Sequence, residues 1–297
     1  MATTTETRAD VYQRVTDKLI EFLEQGTSLC ERLWVSGAPG RPLRTTNEPY
    51  RGVNTVLLWV ASVERGFQHR HWMTYKAAQG MGAQVRKGEK GELVVYADEM
   101  TKKVEDKDTG ELKDAPIWFW KGYTVFNAGQ IDGLPAAFYE KPVLKLMEHP
   151  QRIDAARKFV AHTGAKILEG GNRAFYRPSD DTIRMPEIEK FNSVESYHAV
   201  ELHELVHWSG AKPRLDRSIG TDHHSPDYAR EELVAEIGSA FLCASLEITP
   251  EVRPDHAGYV ASWLKVLKAD KRAIFAAAAQ AQKAADYLHG LQPQPGA

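Results

Sequence analysis

Residues 200–208 read Val200-Glu201-Leu202-His203-Glu204-Leu205-Val206-His207-Trp208, and the chemistry of this run decides how the rest is read. Val200, Leu202, Leu205 and Val206 make it apolar, and the surrounding pattern predicts a helix over 193–210. Side chains four apart on a helix lie one above the other. His203 and His207 can therefore grip one cation from the same face, which gives two polar rings on an apolar helix a reason to be buried. Glu204, one step round, is placed to hold a metal-bound water and take its proton. The plain alternative is a pair of satisfied core histidines.

A metal hydrolase site needs a third protein ligand and an open fourth position. The extended HExxHxxGxxH pattern would put a histidine at 213. Gly210 is present, but Pro213 excludes that form. A helix predicted over 226–246 carries Arg230-Glu-Glu-Leu-Val-Ala-Glu236, in which Glu232 and Glu236 share one face. Glu232 is the preferred ligand. Glu236 either takes that place or orients a ligand histidine from behind. Glu231 is expected to point elsewhere, toward a cap or solvent. His223 and His224, in a polar loop, are the other candidates. Tyr228 and Arg214 are the nearby donors for a transition-state oxyanion. One divalent cation is expected, zinc first by affinity order, with manganese as the alternative.

Around this centre, the sequence predicts a helix over 152–163, a strand over 165–169 and a hairpin over 174–186 turning at Ser179-Asp-Asp181. The edge of that hairpin could hold an extended substrate by strand addition or merely cover the core. A final helix is expected over 251–288. Upstream, helical rhythm runs through 8–33, 50–66 and 74–81, with Thr74 as a cap. Leu93–Tyr96 and the aromatic run 117–127 read as strands joined by a charged hairpin. The fold class expected is α+β in two domains: helices on a small antiparallel sheet over 1–135, a linker over 136–150, a metal-binding domain over 151–290 and a tail over 291–297.

The whole chain has 297 residues, 42% hydrophobic and 26% charged, which excludes collagen-like and wholly disordered classes. Two cysteines give no disulfide framework. The first residues lack a basic and apolar leader, and no apolar run suits a membrane span, so a cytoplasmic protein with no membrane partner is expected. The net charge is only -2. That near-neutrality is a cancellation, because residues 41–90 carry nine positive and three negative side chains whereas 91–116 carry eight acids and four bases. Aromatic residues interleave with the basic ones. A charged groove with aromatic platforms holds single-stranded nucleic acid without sequence readout. The expected contacts are Arg41, Arg44, Tyr50, Arg51, Asn54, Trp72, Lys76, Arg86, Lys87 and Lys90. Single strands are favoured over duplex because no helix here concentrates Arg and Asn for a major groove.

Several stretches together carry a resemblance: Tyr50-Arg-Gly-Val-Asn-Thr-Val-Leu-Leu-Trp59, Trp72-Met-Thr-Tyr-Lys-Ala-Ala-Gln79, Gly82-Ala-Gln-Val-Arg-Lys-Gly-Glu-Lys-Gly91, Lys121-Gly-Tyr-Thr-Val-Phe-Asn127, His203–His207 and Arg230–Glu236. The chain resembles the ArdC-type antirestriction proteins of conjugative plasmids, and its first half is similar to a region of TraC-type primases. The resemblance implies an N-terminal single-stranded-DNA-binding domain and a C-terminal zincin-like metallopeptidase domain akin to SprT and Spartan. It also implies shielding of incoming plasmid DNA from restriction, with a protein substrate or restriction component as partner. Relatives often follow the HExxH with Gly-His. Here Gly210 precedes Ala211, so that ligand is missing, whereas the retained Glu block supports a carboxylate. A non-catalytic DNA-coating or restriction-blocking protein with a structural metal is the alternative.

Overall fold

The computed structural model describes residues 11–24, 40–105, 112–139, 149–219, 225–248 and 256–293. The first half opens with α1 (Val11–Glu24), whose inner face buries Val15, Leu19, Phe22 and Leu23. Helix α2 (Val53–Arg65) is buried over most of its length and ends at Gly66, whose positive φ of 66° suits a residue without Cβ. Strand β1 (Trp72–Met73) leads into α3 (Tyr75–Gly80), capped as expected by the Thr74 side chain accepting from the Ala77 amide. After β2 (Gln84–Val85) come two long strands, β3 (Glu92–Glu105) and β4 (Leu112–Asn127). They pair antiparallel from Glu92 opposite Val125 out to Glu105 opposite Leu112. The strands run beyond the Leu93–Tyr96 and 117–127 stretches expected, into the charged hairpin between them. β1 adds to the other edge of β4, and β5 (Ile131–Asp132) pairs with β2.

In the second half, α4 (His149–His162) precedes a three-stranded sheet of β6 (Lys166–Glu169), β7 (Phe175–Arg177) and β8 (Thr182–Met185). The order is β6-β8-β7, with β8 central, parallel to β6 and antiparallel to β7. Helices α5 (Val194–Ser209) and α6 (Pro226–Leu246) follow and carry the motif residues. The single long helix expected over 251–288 is a correction: the described residues form α7 (His256–Ala269) and α8 (Ala273–Gly290). The break contains neither Gly nor Pro. Asp270 caps it locally by accepting from the Arg272 amide, and the Thr16 hydroxyl of α1 donates to the Lys271 carbonyl across it. The chain thus has the mixed helix-and-sheet architecture expected.

The two halves share a core. One buried cluster joins Leu19 and Phe22 of α1, Leu57 and Trp59 of α2, Phe241 of α6, Trp263 of α7 and Ala278 of α8. Trp59 and Phe241 meet with ring centroids 5.7 Å apart. Burying each such large side chain is worth about 1.5–3 kcal/mol. Arg41 lies across the junction, donating to the Tyr50 carbonyl at 2.7 Å and the Gln282 side chain at 2.6 Å, with its guanidinium over the Phe241 ring. The expected linker around Pro142 falls largely outside the described residues. No helix among those described is long and apolar enough to cross a membrane.

Candidate metal centre

Ser193 caps α5 by accepting from the Ser196 amide, and Ser225 caps α6 with Pro226 in its first turn. The two helices pack closely at Gly238, where a Cβ would lie 2.9 Å from Val206 Cγ2. This approach brings the acidic first half of α6 over the histidines of α5. His203 Nε2 and His207 Nε2 face each other at 3.2 Å. Glu232 completes a triangle, with Oε2 3.5 Å from His203 Nε2 and Oε1 3.4 Å from His207 Nε2. A tetrahedral ion with bonds of about 2.0–2.1 Å separates its ligand atoms by about 3.3–3.4 Å. The two Glu232 distances involve different oxygens. Taken as one donor atom from each residue, the three lie within 4.8 Å of one another, a spacing that could hold one divalent cation, and they form the one such group among the described residues. Glu204 is buried on α5 beside them, 7% exposed.

Glu231 corrects the expectation that it would face a cap or solvent. It is 5% exposed and bonds His207 Nδ1 at 3.1 Å. Arg217, from the loop after α5, donates to both Glu231 oxygens at 2.8 and 3.1 Å, and also to the Ser209 hydroxyl and the Val206 carbonyl. A Cβ at Gly210 would sit 2.7 Å from Arg217 Nη2, so the absence of a side chain at 210 lets the guanidinium lie there. Glu236 Oε2 is 3.7 Å from His203 Nδ1, outside hydrogen-bond range. Burial alone would lower the proton affinity of His207, but its hydrogen bonds to Glu231 and Glu232 outweigh it and raise the pKa to about 10. Burial would likewise raise Glu232, yet hydrogen bonds from His203 and His207 hold it well below the usual carboxylate range. Glu231 is lowered in the same way by His207 and Arg217, against its burial.

Arg214 is engaged elsewhere: its guanidinium bonds Asp181 and the Tyr176 hydroxyl and stacks on Trp208 at 3.9 Å, tying the helix end to the hairpin. Tyr228 is half-buried in the first turn of α6, four residues before Glu232. His223 and His224 lie outside the described residues. β7, with Phe175 43% exposed, forms one edge of its sheet.

The nucleic-acid residues divide. Trp72 is 1% exposed and Tyr50 3%, both core, and the Tyr50 hydroxyl donates to the Trp72 carbonyl. Neither can stack on a base. Asn54 is buried, its amide exchanging two hydrogen bonds with the backbone of Val95 to fasten α2 to β3. Arg41 is engaged at the junction, where burial brings its pKa down to about 10. Arg51 pairs with Asp286, and Arg86 with Glu89 and Asp132. Arg44, Lys76, Lys87 and Lys90 are exposed, and none of these four forms an ion pair with another described residue. Among the described residues of the first half, the exposed large aromatics are instead Tyr75 and Tyr96, each 42% exposed, resting edge-on against Phe126 and Tyr123. The side chains of Trp118 and Trp120 are outside those described.

Two family models match the chain: the N-terminal domain of anti-restriction factor ArdC over residues 9–126, and a zincin-like metallopeptidase over 154–280. The antirestriction protein ArdC of plasmid R388 has a metal-free crystal structure that superposes with a TM-score of 0.78 at 46% identity, over 95% of this chain and 97% of that one. The chain belongs to the ArdC antirestriction family. The R388 protein is also solved with Mn(II) bound, and that structure superposes with a TM-score of 0.75 at 45% identity, over 95% of this chain and 98% of that one. The uncharacterized protein y4eC of Sinorhizobium fredii is 42% identical over 295 residues, covering 97% of this ArdC-family chain and 94% of its own length. DNA primase TraC of Escherichia coli is 39% identical over 303 residues, and the match spans 95% of this chain but 27% of the primase. The zincin-like second half and the Mn(II)-bound relative support a divalent metal in this family member.

Proposed function

We propose that this ArdC-family protein protects incoming conjugative plasmid DNA from restriction by holding single-stranded DNA on its first half, residues 1–135, and a metal-dependent peptidase site on its second, 151–290. The observation that carries the peptidase reading is the triangle of His203, His207 and Glu232 with Glu204 buried beside it. A divalent cation there, zinc or manganese, would supply Lewis-acid polarisation and an acidified water. Glu204 acts as the base, Glu232 fixes the two imidazoles from the opposite helix, and Tyr228 is the remaining oxyanion donor. An exposed strand edge at β7 offers the backbone groups to hold an extended peptide.

The test is Glu204→Gln, which keeps the shape of the side chain and removes its basicity. It should retain metal and DNA binding, lose peptide-bond cleavage and lose protection in a mating assay. Cleavage at the wild-type rate removes Glu204 from the chemistry, and full protection without cleavage assigns protection to DNA coating. The DNA reading rests on Arg44, Lys76, Lys87 and Lys90 with Tyr75 and Tyr96 as platforms. Affinity for single strands should fall steeply between 50 and 200 mM salt, about tenfold or more for a few phosphate contacts, with duplex competing poorly. Salt-independent or duplex-preferring binding in a gel-shift titration contradicts it.

A further inference from the structure

We propose that Glu231 and Arg217 form a positioning device that presets His207 for metal capture, an inference that rests on the metal-site reading above and deepens it. An imidazole presents Nε2 to a cation only if its ring is turned correctly and its other nitrogen carries the proton. At His207 both conditions are met from behind, since Nδ1 lies 3.1 Å from Glu231 Oε1, an arrangement that accepts the Nδ1 proton. A lone glutamate only 5% exposed would be costly to keep charged, and a flexible one would not fix a ring.

Arg217 removes both difficulties. It reaches both carboxylate oxygens, so Glu231 stays anionic and cannot swing about its own axis. The guanidinium is in turn held by the Val206 carbonyl and the Ser209 hydroxyl, on either side of His207 in α5. The backbone repeats the link, with the Arg217 amide donating to the Gly210 carbonyl at 2.8 Å. The device is thus referenced to the very helix that carries the ring it orients. His203 has no such closure, as its Nδ1 is 3.7 Å from Glu236 Oε2. His207 with Glu232 therefore forms the preset half of the triangle, which His203 completes.

The experiment compares the full-length wild type with Glu231→Gln and with the double variant Glu231→Gln/Arg217→Gln, using Mn(II) for titration calorimetry and Zn(II) for NMR. The double variant guards against a folding failure, since it leaves no buried charge without its partner. Both variants should bind Mn(II) at least tenfold more weakly, and the double variant should do so with a metal-free melting temperature within about 3 °C of wild type, whereas Glu231→Gln alone, which leaves the buried Arg217 unpaired, should melt lower. In the Zn(II)-loaded wild type, the His207 Nδ1 proton should be slow to exchange with water, which a merely structural ion pair would not require. Variant affinities within twofold of wild type overturn the proposal and leave the metal reading intact, as does a His207 Nδ1 proton that exchanges like an exposed imidazole. Absence of saturable metal binding by the wild type overturns both.

Discussion

At the residue scale, a cation taken up at the proposed ligand His207 would have to displace a proton. Its burial favours the neutral ring, yet hydrogen bonds to Glu231 and Glu232 raise its pKa to about 10 in the metal-free protein. Loading at neutral pH should release close to one proton per ion, read by calorimetry in buffers of differing ionisation enthalpy, and affinity should rise with pH up to about 10. A release near zero contradicts the protonated state. The sign for stability is the reverse. A folded pKa raised above the ordinary 6.5 stabilises the metal-free protein fully below that value, and the contribution drains away as pH climbs to about 10. The approach of His203 and His207 was legible in the sequence because residues four apart on a helix share a face. Glu231 was not. Counting faces from Glu232 and Glu236 sends it outward, but α6 is buried on nearly every side, and its partner Arg217 arrives from a loop whose path no periodicity encodes.

At the element scale, the site depends on how near α6 comes to α5. Gly238 sets that spacing, since a methyl group there would meet Val206 at 2.9–3.0 Å. Gly238→Ala should cost about 1–3 kcal/mol of stability through overpacking, seen as a lower melting temperature. It should also weaken metal binding, because Glu232 moves with its helix. A variant as stable and as avid as wild type would mean that the helices slide without strain. Helix positions and the Thr74 cap could be read from patterning. The break between α7 and α8 could not, because Thr16 of α1 helps make it from more than two hundred residues away.

At the scale of the whole molecule, charge sets the first half apart from the second, whereas packing joins them. Leu19, Phe22, Leu57 and Trp59 bury against residues of α6, α7 and α8, and Arg41 bridges the seam to Gln282. Calorimetric unfolding of the metal-free chain should show one transition whose van't Hoff and calorimetric enthalpies agree. Two resolved transitions would show that the seam is weak. The sequence could not reveal this union, since an apolar face does not say which partner will cover it. The shared core also bears on heredity. A crossover that grafted either half onto a foreign gene would yield a product with bare apolar faces, prone to aggregate before it could serve its host. Genetic exchange should therefore pass the two halves on together, as a single cassette.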